Sequence, residues 1–169
     1  MNLFHPCTPQ SLNENPFSLI GKDWMLITAG TDTHYNTMTA SWGGVGVLWN
    51  KNVCFCFVRP QRHTLKFLEE QDRFTLSFFP DGYRDALTYC GRHSGRDVDK
   101  TKETGLTPHA LSSDAMTFEE ARLVLTCKKL YLQDMTPESF LDPALVAQHY
   151  PNNDFHKVFV AEIESVYTK

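Results

Sequence analysis

The chain has 169 residues, a hydrophobic share of 41%, a charged share of 21% and a formal net charge of -4 at pH 7. This length fits one domain over residues 1–169 that buries about two thirds of the surface of its unfolded chain without a metal or disulfide. The composition is that of an ordinary globular protein, and the charge shows no basic excess. Nucleic acid is therefore excluded as an expected partner.

The N-terminal sequence and the cysteines bear on location. MNLFHPCTPQ lacks a basic leader and an apolar core of signal-peptide length. No apolar run approaches the roughly 20 residues that span a bilayer, so no membrane association is expected. The five cysteines are scattered without Cys-x-x-Cys spacing, which favours core packing as reduced thiols over a zinc site or a redox dithiol. We therefore expect a cytoplasmic protein.

Two strands are predicted near the start of the chain. The apolar run 24–30 ends at a glycine and indicates a buried strand. The segment 33–42 is rich in β-branched and aromatic residues and indicates a second strand. Residues 43–50, GGVGVLWN, contain too many glycines for a regular element and are predicted to form a loop. Trp49 stands where G-x-G-x-x-G requires its third glycine, so this segment is no dinucleotide fingerprint.

Three elements follow in the middle of the chain. The run VCFCFV, 53–58, is apolar on both faces, which predicts a central strand that ends before Pro60. Thr64 is predicted to cap a short helix formed by TLKFLEEQ. In the run 73–79, Phe and Leu alternate with Thr and Ser, which predicts a half-buried strand.

Helices and two long strands are predicted for the rest of the chain. Apolar spacing predicts a helix over 83–91, and the polar stretch 93–105 is predicted to lead as a loop into a short helix closed by its glycine. Long strands are predicted at 122–132 and 155–167, with a helical insertion at 136–153 that starts twice at a proline. Six or seven strands with short helices indicate a closed or split antiparallel barrel.

The clearest functional signal lies in RPQRHTLKFL, at the predicted start of a helix. Arg59 and Arg62 precede a first turn that presents free backbone N–H groups and the Thr64 hydroxyl. Such a helix start attracts a phosphate, to which guanidinium groups donate charge-assisted hydrogen bonds. The alternative is that the arginines only solvate a strand-to-helix turn and that Thr64 is an ordinary cap.

Two weaker signals accompany it. Thr37, Thr39 and Ser41 share one face of a predicted strand, and such hydroxyls suit the polar edge of a flavin ring, although an exposed sheet face has the same pattern. The glycine-punctuated loop GRHSGRDVDK, 91–100, either carries function or is a solvated connector. The sequence contains no G-x-S-x-G elbow that would supply a nucleophilic serine for His93, so a hydrolytic relay is not expected. It also contains no H-E-x-x-H motif, so a metal site is not expected.

In this order, NTMTASWGG, RPQRHTLKFL, RFTLSFF and CGRHSGRDVDKTKETGL resemble the flavin reductase-like family, particularly its flavoredoxin branch. The resemblance extends from about Asn15 to the C-terminus. It implies a mainly β fold, an antiparallel FMN-binding split β-barrel of Greek-key type with short peripheral helices. It also implies a homodimer that binds one FMN per protomer near the subunit interface.

The resemblance further implies roles for individual residues. The end of the second strand would run along the isoalloxazine ring, and the two arginines and the threonine of the helix start match positions that hold the phosphate. The lysine of the 91–100 loop matches one that approaches the flavin, where a cation favours the anionic reduced ring. Trp42 either lines the ring pocket or packs in the core. The implied cofactor-binding residues are Thr39, Ala40, Ser41, Trp42, Arg59, Arg62, Thr64, Ser94, Gly95 and Lys100.

The implied function is that of an FMN-dependent oxidoreductase of flavin reductase or flavoredoxin type. It would pass electrons from NAD(P)H or a reduced electron-transfer protein through bound FMN to an acceptor. Because the cofactor carries the chemistry, no general acid or base is expected. Two alternatives stay open: an FMN-binding carrier or sensor without turnover, and a barrel interaction domain without a cofactor.

Overall fold

The computed structural model describes residues 3–169 and builds them around one large antiparallel sheet. Its ten strands are β1 (His5–Cys7), β2 (Met25–Gly30), β3 (Tyr35–Ala40), β4 (Gly43–Leu48), β5 (Lys51–Val58), β6 (Arg73–Phe78), β7 (Pro108–Ser112), β8 (Ala115–Phe118), β9 (Leu123–Asp134) and β10 (Lys157–Thr168). The main sheet has the order β3-β2-β6-β9-β10-β5-β4, with β1 paired to β10, while β7 and β8 form a separate hairpin.

The order of the strands makes the barrel a split one. β5 and β6 follow each other in the chain but lie on opposite sides of the β9–β10 hairpin, which is a Greek-key type of connection. β3 and β4 end the order, so the sheet does not close between them. Ser41 and Trp42 connect these two edge strands and therefore lie at the opening of the barrel.

Five short helices lie around the sheet: α1 (Pro16–Ser18), α2 (Thr64–Glu70), α3 (Arg84–Arg92), α4 (Lys100–Thr104) and α5 (Pro143–His149). Gly105 ends α4 in the left-handed conformation at φ 70°, as predicted. The insertion between β9 and β10 also starts its two helical turns at prolines, as predicted, and the Asp142 carboxylate caps α5. Across residues 3–169, no helix combines the length and apolarity needed to cross a membrane.

β2 and β6 are buried on both faces because two apolar clusters sandwich this part of the sheet. The first fills the barrel and includes Ile27, Phe74 and Phe159. The second includes Leu26 and Phe118 and lies on the other face, where α3 and the β7–β8 hairpin cover it. This arrangement explains why the run 24–30 is continuously apolar rather than alternating.

The prediction of a loop at 43–50 is wrong for most of that segment. Gly43 to Leu48 pair residue by residue with β5, in register from Cys56 to Lys51. The close approach explains the first glycine, because a Cβ on Gly43 would lie 2.7 Å from the Phe55 carbonyl oxygen. The hairpin turns at residues 49–50, both at positive φ, which is the geometry of a tight two-residue turn.

The prediction of a half-buried strand at 73–79 is also wrong, because both faces of β6 are covered. The hydroxyl-bearing face packs under the β7–β8 hairpin, which the sequence reading did not predict. Thr75 donates to the Met116 carbonyl oxygen, and the Ser77 and Thr117 hydroxyl oxygens lie 2.8 Å apart. The polar alternation of β6 therefore reflects buried hydrogen bonds to a hairpin rather than exposure to water.

Candidate functional site

A cavity of about 150 Å³ lies beyond the end of β3, at the opening of the barrel. Met38, Phe57 and His156 form part of its wall. Six of the residues predicted to bind a cofactor line it as well: Thr39, Ala40, Ser41, Trp42, Arg59 and Arg62. Two segments far apart in sequence, the β3–β4 connection and the turn after β5, therefore meet at one place.

Trp42 lines both this cavity and a second hollow of about 380 Å³, whose other lining residues are Pro16, Phe17, Ile20, Gly21, Ser41, Gly43, Gly44 and Val45. Its side chain is 48% exposed, so the alternative of a buried packing role is wrong. The ring centroids of His149 and His156 each lie 5.5 Å from that of the indole. Trp42 thus presents an accessible aromatic face at the opening of the barrel.

The hydroxyls of the β3 face do not all point into the cavity. Thr37 is buried, and its oxygen lies 2.8 Å from that of Thr28 on β2. Thr39 donates to the Leu87 carbonyl oxygen of α3. Within residues 3–169, Ser41 makes no side-chain hydrogen bond. The expectation of an exposed sheet face is wrong, and Ser41 is the one hydroxyl of the three that is available to a ligand.

Arg59 is held by the insertion between β9 and β10. Its Nη1 pairs with the Asp154 carboxylate, its Nη2 donates to the His149 carbonyl oxygen at 2.8 Å, and its guanidinium lies 5.1 Å from the Tyr150 ring centroid. Hydrogen bonds from Gln61 and Arg59 lower the pKa of Asp154. The insertion therefore holds Arg59 in the cavity wall and shares this arginine with any ligand there.

Arg62 has fewer hydrogen-bond partners within the protein than Arg59. Its Nη1 donates to the Gly91 carbonyl oxygen at 2.7 Å, while its Nη2 is buried without a hydrogen-bond partner. No carboxylate pairs with it in the described part of the chain, and burial lowers its pKa. A buried guanidinium N–H without an acceptor is costly, so this position is suited to the oxygen of an anionic ligand.

A larger cavity, of about 510 Å³, lies at the start of β3 and is lined by residues 33–37, 95–101, His63 and Phe67. Lys100 is buried in its wall, where its Nζ donates to the carbonyl oxygens of Thr37 at 2.7 Å and Cys90 at 2.9 Å. Burial, aided by the nearby Arg62 charge, lowers the pKa of Lys100 to about 8. Lys100 thus lies in the wall of a different cavity from the arginines.

The loop that precedes α4 approaches β3 closely. A Cβ on Gly95 would lie 1.9 Å from Oδ1 of Asn36, so only glycine fits there without a shift. The Asn36 amide donates to the Thr64 hydroxyl at 2.8 Å, and α2 begins at Thr64 without a side-chain cap, so the predicted capping role is wrong. Ser94 accepts a hydrogen bond from the Arg96 backbone at 3.2 Å.

The predicted residues are therefore divided. Six line the cavity at the end of β3, Gly95 and Lys100 line the larger one, Thr64 is buried beneath Asn36, and Ser94 stabilises the connecting loop.

The sequence reading missed His156, a lone histidine in a strand-like run. It lines the smaller cavity, and its Nδ1 lies 2.8 Å from the Tyr150 hydroxyl oxygen. Burial, aided by the Arg59 charge, lowers its pKa to about 4.

Comparison with known protein families assigns the chain to one of them. The model of the flavin reductase like domain matches residues 17–169. The chain belongs to the flavin reductase-like family. Its fold is shared by solved structures at low sequence identity, whereas comparison with curated proteins returns no match.

Three of these structures illustrate the likeness of this flavin reductase-like protein. The FMN-binding protein from Thermus thermophilus with bound p-hydroxybenzaldehyde has a TM-score of 0.67 at 21% identity, over 96% of this chain and 78% of that one. The flavoredoxin of Desulfovibrio vulgaris (Miyazaki F) has a TM-score of 0.67 at 19% identity, over 96% and 76%. The NADH:FAD oxidoreductase SgcE6 of Streptomyces globisporus C-1027 has a TM-score of 0.64 at 16% identity, over 87% and 76%.

Proposed function

We propose that this flavin reductase-like protein is an FMN-dependent oxidoreductase that passes electrons from NAD(P)H or a reduced electron-transfer protein to an acceptor. The observation that carries the proposal is the buried, unpartnered Nη2 of Arg62 at a cavity that also contains the exposed indole of Trp42. An anionic group and a planar ring are the two parts of FMN that such a site suits. When bound, FMN supplies a ring that accepts electrons and passes them on.

The residues present fit the cofactor at both of its ends. Arg62 would donate to the phosphate, joined by Arg59, whose guanidinium has five N–H groups and engages Asp154 and the His149 carbonyl. The backbone and hydroxyl of Ser41 and the Trp42 indole would lie along the ring. FMN is favoured over FAD because the structural neighbour from Thermus thermophilus is described as an FMN-binding protein.

A homodimer is part of this proposal. The cavity of about 150 Å³ is smaller than the roughly 300–1,000 Å³ typical of ligand pockets, so one chain alone encloses too little space. Beside it, β4 is an edge strand, and its hairpin exposes Val47 by 72% and Trp49 by 56%. Natural proteins usually protect an apolar edge strand from solvent and from other chains. A second copy would cover this edge and complete the wall of the site.

We place the protein in the cytoplasm, acting as one domain without nucleic acid or membrane as partner. Four of the five cysteines are buried as free thiols, and the fifth, Cys7, is a free thiol as well. Unpaired thiols suit a reducing compartment. The negative net charge gives no electrostatic attraction to nucleic acid.

The test is the visible absorption spectrum of the purified chain with added FMN under anaerobic conditions. Flavin bands that bleach with NADH or NADPH establish the reductase form, and bands that bleach only with a reduced ferredoxin-like protein establish the flavoredoxin form. Bands that no donor bleaches would instead show a carrier or sensor without turnover. If FMN is not taken up, the proposal fails.

A further inference from the structure

Tyr150 and His156 form a buried pair behind the smaller cavity. Each side chain is 6% exposed, and the Tyr150 hydroxyl oxygen lies 2.8 Å from Nδ1 of His156. Tyr150 comes from the insertion between β9 and β10, at the C-terminal end of α5. His156 lines the cavity while Tyr150 does not, so the Nδ1 edge of the imidazole faces away from the cavity.

The position of the imidazole proton follows from the acceptors around Tyr150. Its hydroxyl has one hydrogen and two acceptors within reach, Nδ1 of His156 at 2.8 Å and the Met135 sulfur at 3.7 Å. An imidazole nitrogen accepts a hydrogen bond much better than a thioether sulfur, so the hydroxyl donates to Nδ1. A neutral ring whose Nδ1 accepts carries its proton on Nε2.

Burial is the main cause that keeps the His156 ring neutral. The Arg59 charge adds to it by disfavouring a second positive charge, while Asp154 acts in the opposite sense. The resulting pKa of about 4 leaves the imidazole uncharged at neutral pH. The Nε2–H group is then a neutral hydrogen-bond donor beside the Trp42 indole, whose ring centroid lies 5.5 Å from that of His156.

We propose that Tyr150 is a positioning residue: its hydroxyl fixes the proton of His156 on Nε2 and so makes that ring a hydrogen-bond donor to a carbonyl oxygen of a planar ligand held against Trp42. The identity of the ligand rests on the proposed function, since both the flavin ring and the carboxamide of a nicotinamide present such an oxygen. The tautomer of His156 does not rest on it.

The first experiment measures the tautomer in the full-length protein without added ligand. Long-range proton–nitrogen NMR correlations of the His156 ring distinguish a protonated from an unprotonated nitrogen. The expected result is an unprotonated Nδ1 and a protonated Nε2 in the wild type and in the control Met135→Leu, which removes the sulfur acceptor. A protonated Nδ1 in the wild type would overturn the proposal, whatever the outcome of the flavin tests.

The second experiment compares Tyr150→Phe with Met135→Leu. Loss of the fixed donor should weaken one interaction by about 2- to 10-fold, the range of a single hydrogen bond, while Met135→Leu stays at the wild-type value. A change in FMN dissociation constant identifies the flavin carbonyl as the acceptor, and a change in the KM for NADH at saturating FMN identifies the nicotinamide. If neither quantity changes in Tyr150→Phe, the positioning role is refuted.

Discussion

Arg62 and Lys100 bind the carbonyl oxygens of neighbouring residues at the end of α3. Arg62 donates to Gly91 at 2.7 Å, and Lys100 donates to Cys90 at 2.9 Å. The last carbonyls of a helix have no partner within the helix, and a cation at this end is favourable. Two cations predicted from the sequence as cofactor ligands thus also fasten α3, β3 and the turn after β5 to one another.

Replacing Arg62 by Ala should weaken FMN binding by about 1.5 to 3 kcal/mol, because a charge-assisted hydrogen bond to the phosphate is lost. The measurement is FMN titration by flavin fluorescence, repeated with riboflavin, which lacks the phosphate. Riboflavin affinity should stay unchanged. Arg92→Ala removes an exposed arginine from the end of α3, the helix whose Gly91 carbonyl accepts the Arg62 hydrogen bond, and serves as the control for net charge. An equal loss for riboflavin and FMN would mean that Arg62 does not bind the phosphate.

Arg59→Ala tests how the insertion shares this site. Because Arg59 is already paired with Asp154, its replacement should weaken FMN binding less than that of Arg62 and should loosen the insertion. Limited proteolysis of residues 136–153 measures the loosening. Asp154→Asn is the matched variant, since it removes the carboxylate charge while leaving Arg59 in place. A larger loss of FMN affinity in Arg59→Ala than in Arg62→Ala would reverse the proposed ranking.

The affinity for FMN should fall as the pH rises through about 8, the pKa of Lys100 in the protein without ligand. Burial lowers this pKa, so the amine loses its proton there and one positive charge near Arg62 is lost. The second ionisation of the phosphate is complete by then, so the ligand charge is constant. The decrease should be smaller than about tenfold per pH unit, because Lys100 lies in the wall of the larger cavity and acts on the phosphate only through its charge.

Titrations of FMN between about pH 7 and 9 measure this dependence. Lys100→Met should abolish the decrease, and Lys102→Met, which changes a neighbouring exposed lysine, should retain it. A pH dependence that persists unchanged in Lys100→Met would assign it to another group.

Gly95→Ala should destabilise the fold by about 1 to 3 kcal/mol, because the new methyl group would overlap the Asn36 amide, which is fixed by its bond to Thr64. Urea denaturation gives the free energy of unfolding. Gly21→Ala is the control, since no atom lies within 4 Å of its new Cβ. Adding Asn36→Ala to Gly95→Ala should restore part of the loss, and an undiminished loss in the double variant would argue against the steric cause.

Local patterns were sufficient to predict six of the ten strands and four of the five short helices, but not the pairings between distant segments. The glycines of β4 hide a strand whose hydrogen bonds go to β5, and the hydroxyls of β6 find partners on a hairpin about 40 residues later. The proposed phosphate-binding turn after β5 was predicted from its two arginines. The ion pair of Arg59 with Asp154 was not predicted, because 95 residues separate the two and only the fold of the insertion brings them together.

Val47→Lys should turn the proposed dimer into a monomer without unfolding the chain. Val47 is 72% exposed and lies on the edge strand β4, so a lysine there keeps its charge in water in the single chain but would be buried between two copies. Analytical ultracentrifugation over a range of concentrations measures the molecular mass, and the unfolding midpoint should match the wild type. Leu141→Lys changes a fully exposed apolar residue on the insertion, away from β4, and should leave the dimer intact. A wild-type chain that is monomeric at every concentration would remove the dimer from the proposed function, and a Val47→Lys dimer would place its interface elsewhere.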